Sequence, residues 1–214
     1  PLASELKQHS WVKFHLDQLV SKKLPTITND LNSLRGQELF FIPQEGDTRV
    51  LNGGWHWDGV GEPRSLELLI DTWYASVGSG ANLIISPAPG PDGAFNEPQT
   101  KRLMELRKWL DESFSDNLLE EARLTLTGGR KDYLPKQLVS GETPYGAAEG
   151  NKELSVVAEF PEAITFNNLV VEEAIEEGQR ISAFTLEAWK DGRWIKLAEG
   201  QTVGHKRVLS FSDV

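Results

Sequence analysis

"GSGANLIISPAPGPDG", residues 78–93, joins the most apolar short run of the chain to one of its densest Pro/Gly stretches. "ANLIIS" is apolar on both faces, which predicts a strand covered on both sides. A strand that ends so abruptly in "PAPGPDG" reads as one leaving a parallel sheet into a loop, the end at which α/β folds do chemistry. The stretch could be mistaken for a phosphate loop. It lacks the Gly-Lys-Ser/Thr ending, and Asn96 and Glu97 follow, of which the carboxylate would repel phosphate.

The flanking segments have helical periodicity. "EPRSLELLIDTWYASVG" sets Leu66, Leu69, Ile70, Trp73 and Val77 on one face and closes with Gly78. "NEPQTKRLMELRKWLDESF" opens on Asn96 as N-cap, with Gln99 at capping-box spacing, Pro98 in the first turn, and Leu103, Leu106, Leu110 and Phe114 as its core face. Further upstream, "SWVKFHLDQLVSKK" predicts a helix with Val12, Leu16, Leu19 and Val20 inward, and "PTITND" a short strand. This order is that of α/β units on a parallel sheet.

After about residue 124 the period becomes two. "RISAFTLEAWKDGRWIKLAEG" alternates, with Asp191-Gly192 as a two-residue hairpin turn that should pair Trp189 with Trp194. "ELSVVAEF" and "ITFNNLVV" read as strands, with "FPEA" and "EEAIEEG" as turns and "LVSGETPYGAAEGNKE" as a polar excursion. This half predicts an antiparallel sandwich.

Composition narrows the function classes. The 214 residues carry 22 basic and 32 acidic side chains, a net charge of −10, which disfavours nucleic acid or an anionic membrane surface as partner. Without cysteine there is no disulfide or thiolate metal site, and four scattered histidines outline no metal cluster. No apolar run approaches the roughly 18 residues of a membrane span. "PLASELKQHS" is not a signal peptide, and there is no Gly-x-Ser-x-Gly nucleophile motif.

"SVGSGANLIISPAPGPDGAFNEPQTKRLMELRKWL" resembles the last barrel unit of the family-29 glycoside hydrolases, the α-L-fucosidases, with Ser86 where that family usually has Asn. "LVVEEAIEEGQRISAFTLEAWKDGRWIKLAEGQTVGHKRVLSF" resembles the discoidin-like sandwich that follows their barrel. The resemblance implies an α/β fold: 1–123 as the C-terminal portion of a (β/α)8-like barrel and 124–214 as an antiparallel β-sandwich. Relatives of such sandwiches bind sugars or brace the barrel, and bracing is the expectation here.

"RGQELFFIPQEGDTRVLNGGWHWDG" also matches some fucosidases, through Pro43, Glu45, Asp47, Gly54 and Trp55. Retaining glycoside cleavage needs two carboxylates about 5–5.5 Å apart, one protonating the leaving oxygen and one attacking the sugar carbon. Glu45 follows the apolar run "LFFI" and is the candidate acid/base, which burial against Trp55 and Trp57 would suit by raising its pKa; Asp47 is the competing candidate. Both could instead be solvated loop acids. Trp55, His56 and Trp57 suit the wall of a sugar pocket, since sugar C–H faces pack on aromatic rings, or they anchor a packed loop. Arg35 and Glu38 read as a structural pair. The strand end at Ser86 is expected on the same face as Glu45.

The family's nucleophile lies in a Trp-x-Asp-like strand end that this sequence does not contain, and Asp30 in "TITND" has a different setting. Eight βα units take roughly 250 residues, so the chain reads as the C-terminal part of an enzyme. The resemblance implies a retaining hydrolase of terminal fucose on glycans, secreted or periplasmic, needing no cofactor or metal and no membrane insertion. A non-catalytic carbohydrate-binding or scaffold protein of the same fold is the alternative, and a hydrolase of another sugar a third.

Overall fold

The computed structural model describes residues 11–12, 40–41, 45–128, 138–139, 153–173 and 181–214. In order these form β1 (Trp11–Val12), β2 (Phe40–Phe41), β3 (Glu45–Arg49), α1 (Leu66–Ser76), β4 (Asn82–Ser86), α2 (Glu97–Phe114), β5 (Arg123–Thr127), β6 (Ser155–Glu159), β7 (Asn168–Val171), β8 (Phe184–Lys190), β9 (Arg193–Gly200) and β10 (Arg207–Ser210). The result is a mixed helix and strand protein. β3 and β4 pair in parallel; β1–β2, β5–β6, β7–β10 and β8–β9 pair antiparallel.

The β3–α1–β4 passage is the expected α/β unit. Ser65 caps α1 by accepting the Leu68 N–H, and Leu69 is its most buried side chain. The helix runs into a short 3-10 turn, Val77–Ser79, and the chain reverses at Gly80, in the left-handed region at φ 84°, rather than at the expected Gly78. Gly78 is instead buried, and a methyl group there would meet Tyr74 and Val208 at ordinary contact distance, 3.5 Å. Gly46 of β3 faces Ser76 of α1 and Leu83 of β4, so α1 covers one side of the strand pair.

The other side departs from expectation. Ile84 is 45 % exposed and Asn82 is exposed, so β4 is covered on one side among the described residues. Alternate residues of a strand point to opposite faces, and only one set meets the helix. The open face carries Glu45, Asp47 and Arg49 from β3 with Asn82, Ile84 and Ser86 from β4.

The predicted helix over "SWVKFHLDQLVSKK" is corrected at its start. Trp11 and Val12 are extended and pair with Phe41 and Phe40, as aromatic and β-branched residues favour. The rest of that segment, "PTITND" with Asp30, the Arg35–Glu38 pair, most of "LVSGETPYGAAEGNKE" and most of "EEAIEEG" lie outside the described residues.

Two compact units emerge, one of 1–109 with 167–212 and the other of 110–166 with 213–214. They follow spatial contact, whereas the 123/124 division follows the change of hydrophobic period. In the first, Val50, Leu51, Leu69, Ala88, Leu106, Val203 and Leu209 are the buried apolar side chains. Trp73, Tyr74 and Trp109 pack edge to face with centroids 5.3–5.5 Å apart, and the Tyr74 hydroxyl donates to Asn168 Oδ1 at 2.7 Å. β8 and β9 belong to the same unit. Asp191 and Gly192 both have positive φ, 52° and 78°, as a primed hairpin turn requires. The turn sets Trp189 opposite Trp194, as expected, with ring centroids 5.4 Å apart. In the second unit β5 pairs with β6, and Arg123 meets Glu159 across the pair.

Candidate functional site

The C-terminal ends of β3 and β4 open into two loops that meet. After β3, Val50 N–H donates to the Ser86 carbonyl at 3.0 Å, and the chain loops out and returns, closed by Asn52 N–H to the Glu62 carbonyl (2.9 Å) and Arg64 N–H to the Val50 carbonyl (2.8 Å). Trp55, His56 and Trp57 lie on this excursion. Its return is a tight turn in which the Asp58 carboxylate accepts the N–H groups of Val60 (3.0 Å) and Gly61 (2.7 Å). These backbone donors, Gly61 first, hold the Asp58 carboxyl below the usual aspartate range.

The second loop, 87–96, leaves β4 and is held by two polar side chains. Asn96 caps α2 by accepting the Gln99 N–H (3.1 Å) and donates through Nδ2 to the Gly61 carbonyl (3.0 Å), tying one loop to the other. Gly61 has φ 72°, and a side chain there would collide with Asn96 and the Trp57 ring. Gln99 does not close the capping box. It is fully buried, accepts the Ala88 N–H (3.0 Å) and donates to the Ala88 carbonyl (3.0 Å). An amide side chain offers one acceptor and two donors, which matches both backbone groups of Ala88.

Between the loops is a pocket of about 280 Å³ lined by Trp57 from the first loop and by Pro91, Asp92, Phe95 and Asn96 from the second. Of the expected sugar-wall residues, Trp57 lines it and Trp55 and His56 do not; Trp55 is 46 % exposed. Phe95 and Asp92 were missed by sequence reasoning. Gln99 had a legible signal, since it falls four residues before Leu103 and seven before Leu106, on the core face of α2.

The carboxylates stand elsewhere. Glu45 is the first residue of β3 and pairs with Asn82, whereas Ser86 pairs with Arg49 at the other end. Glu45 and Ser86 are therefore at opposite ends of the strand pair, about 13 Å apart at the usual rise of about 3.3 Å per residue. The expected placement of both at the loop end of the sheet is overturned, although they share its open face: the parallel strand begins at Glu45 instead of ending before it. Asp47 lies nearer the loop end, and the Ser86 hydroxyl donates to its Oδ1 at 3.3 Å. Both carboxylates are exposed, so Trp55 and Trp57 do not bury Glu45. Among the described residues no group of His, Asp and Glu could hold a metal, and no helix is long and apolar enough to cross a membrane.

No protein-family model matches the chain. It is 33 % identical over 182 residues to alpha-L-fucosidase 1 of Arabidopsis thaliana, across 81 % of this chain and 36 % of that protein. Among solved structures it is similar to a Ruminococcus gnavus GH29 fucosidase in complex with fucose, with a TM-score of 0.71 and 28 % identity over 80 % of this chain and 36 % of that one. The structure of SpGH29 gives a TM-score of 0.75 and 28 % identity, over 86 % of this chain and 42 % of that one. The chain spans about a third of the length of the curated relatives it matches, 36 % and 34 %.

Proposed function

By sequence and fold the chain is a relative of the family-29 α-L-fucosidases, and from that premise we propose that it serves the hydrolysis of terminal α-L-fucose from glycans with retention at the sugar carbon. The observation that carries this is the likeness to fucosidases over four-fifths of the chain, in sequence and in structure. Residues 1–123 are read as part of a (β/α)8-like barrel, supported by the parallel β3–α1–β4 unit, and 124–214 as an antiparallel sandwich, supported by the β7–β10 and β8–β9 pairs. The open face of β3–β4 then corresponds to the barrel interior.

In a retaining reaction one carboxylate attacks the sugar carbon while another protonates the leaving oxygen and later deprotonates water. The acid/base role falls to the pair on β3. The Pro43-x-Glu45-x-Asp47 spacing supports Glu45; the Ser86 hydroxyl and the nearness to the loops support Asp47. Trp55, His56 and Trp57, on the loop after β3, supply aromatic surface for a sugar. This chemistry uses carboxylates alone and calls for no cofactor. The substrate is a fucosylated glycan, the sandwich braces the barrel, and the protein acts in a secreted or periplasmic setting.

Kinetics on Glu45→Gln and Asp47→Asn in the full-length protein test the reading. Loss of the acid/base group abolishes most activity on natural fucosides, whose poor leaving groups need a proton, and spares glycosylation by activated aryl fucosides. Azide then rescues turnover by attacking the glycosyl-enzyme without base help. If this pattern follows Asp47→Asn and not Glu45→Gln, the role belongs to Asp47. If the protein binds fucosides and releases no fucose from any, the non-catalytic carbohydrate-binding alternative replaces it.

A further inference from the structure

We propose that the pocket between Trp57 and Phe95 is a binding subsite for a neutral pyranose ring of the glycan other than the one cleaved. The inference rests on the glycan-hydrolase reading. Neither Glu45 nor Asp47 lines this pocket, and Asp92 is its single carboxylate, so it lacks the two carboxylates that cleavage needs. Its volume of about 280 Å³ suits one sugar ring.

The lining chemistry is that of polyol recognition. Trp57 and Phe95 come from different loops and both line the pocket, and aromatic rings are surfaces on which sugar C–H groups pack. Phe95 is half exposed, though it stands beside a pocket it could help to fill. Asn96 is engaged at both ends, by Gly61 and by the Gln99 N–H. Asp92 spends one oxygen on the Ala94 N–H at 3.1 Å and keeps the other for sugar hydroxyls. A carboxylate in that position accepts from hydroxyl donors and repels an anionic sugar, in keeping with the net charge of −10. The walls are set in advance, because the Asn96–Gly61 and Gln99–Ala88 bonds hold both loops, so ordering costs little on binding.

The test is a titration of the full chain with methyl β-galactopyranoside, methyl β-glucopyranoside and the anionic methyl β-galacturonide, followed by amide and indole N–H chemical shifts. The neutral probes should shift Gly90, Gly93, Ala94 and the Trp57 indole, and the uronide should bind several-fold more weakly. Phe95→Ala should weaken the neutral probes about fivefold or more, the order expected for one lost aromatic contact. Asp92→Asn should erase the preference for neutral over anionic rings. Absence of these shifts, an unchanged affinity in Phe95→Ala, or tighter binding of free L-fucose than of the neutral probes at the same residues would overturn the proposal. Fucose binding here would leave the hydrolase reading intact, and failure to cleave any fucoside would leave the titration result standing. The two readings therefore fail separately.

Discussion

The β8–β9 hairpin and the loop pair at the ends of β3 and β4 both bring tryptophans to the surface, and they hold them by different means. In the hairpin, Trp189 and Trp194 are 62 % and 53 % exposed, and their placement follows from a turn two residues long. In the loop pair, the turn that follows Trp57 is held by Asn96, whose amide bonds the Gly61 carbonyl 35 positions back, and the facing loop is held by Gln99, which bonds Ala88 11 positions away. A local turn can fix a register without any core. A pocket wall built from two loops needs buried polar side chains that pair with backbone, because an unpaired buried amide costs more than a missing contact.

The sharpest way to break that contrast is Gln99→Leu. It keeps the bulk and removes the amide, leaving the Ala88 N–H and carbonyl unpaired in a buried place. At about 1–3 kcal/mol for each of the two unsatisfied groups, the expected loss is about 2–6 kcal/mol, read as a lower urea midpoint at unchanged slope. A loss under about 0.5 kcal/mol would show that the loop does not depend on this residue.

A smaller effect is expected in the hairpin. A double-mutant cycle of Trp189→Ala and Trp194→Ala should give a coupling of about 0.5–1.5 kcal/mol, the worth of an edge-to-face pair. The turn, not the rings, sets the register, so amide contacts across β8–β9 should survive in both variants. Loss of the hairpin in either would mean that aromatic packing decides it after all.

The smallest effect belongs to Asp58, at the return of the first loop. Its carboxyl is held low by the Gly61 and Val60 N–H groups, so its support for the turn is complete above the ordinary aspartate pKa. That support is lost as pH falls through the lower folded value. Protection of the Gly61 amide, its exchange rate taken against the intrinsic rate at each pH, should fall on acidification below about pH 4 in the native protein, taking the usual aspartate value of about 3.9 as the upper edge. Asp58→Asn keeps an acceptor oxygen and should remove the pH dependence; a dependence that persists would assign it to another group.

Much of this organisation is written in local pattern. The period-3.6 face of α1 and α2, the N-cap at Asn96 and the Asp191-Gly192 turn each depend on neighbours within a few residues, so spacing and residue type suffice to find them. The same holds for the α/β order around "ANLIIS". The end of the strand at which a carboxylate emerges is different. It depends on where the parallel pairing begins, and the register Glu45↔Asn82 is a property of two segments 37 residues apart. A shift of a few residues moves Glu45 from the loop end to the far end without altering any local signal. The role of Gln99 was half legible, since its place on the core face of α2 announces burial while its capping-box spacing suggests a different partner. Only the folded chain brings Ala88 within reach of its amide, Gly61 against Asn96, and Phe95 opposite Trp57, because each contact joins elements whose approach is decided by core packing and not by sequence neighbours.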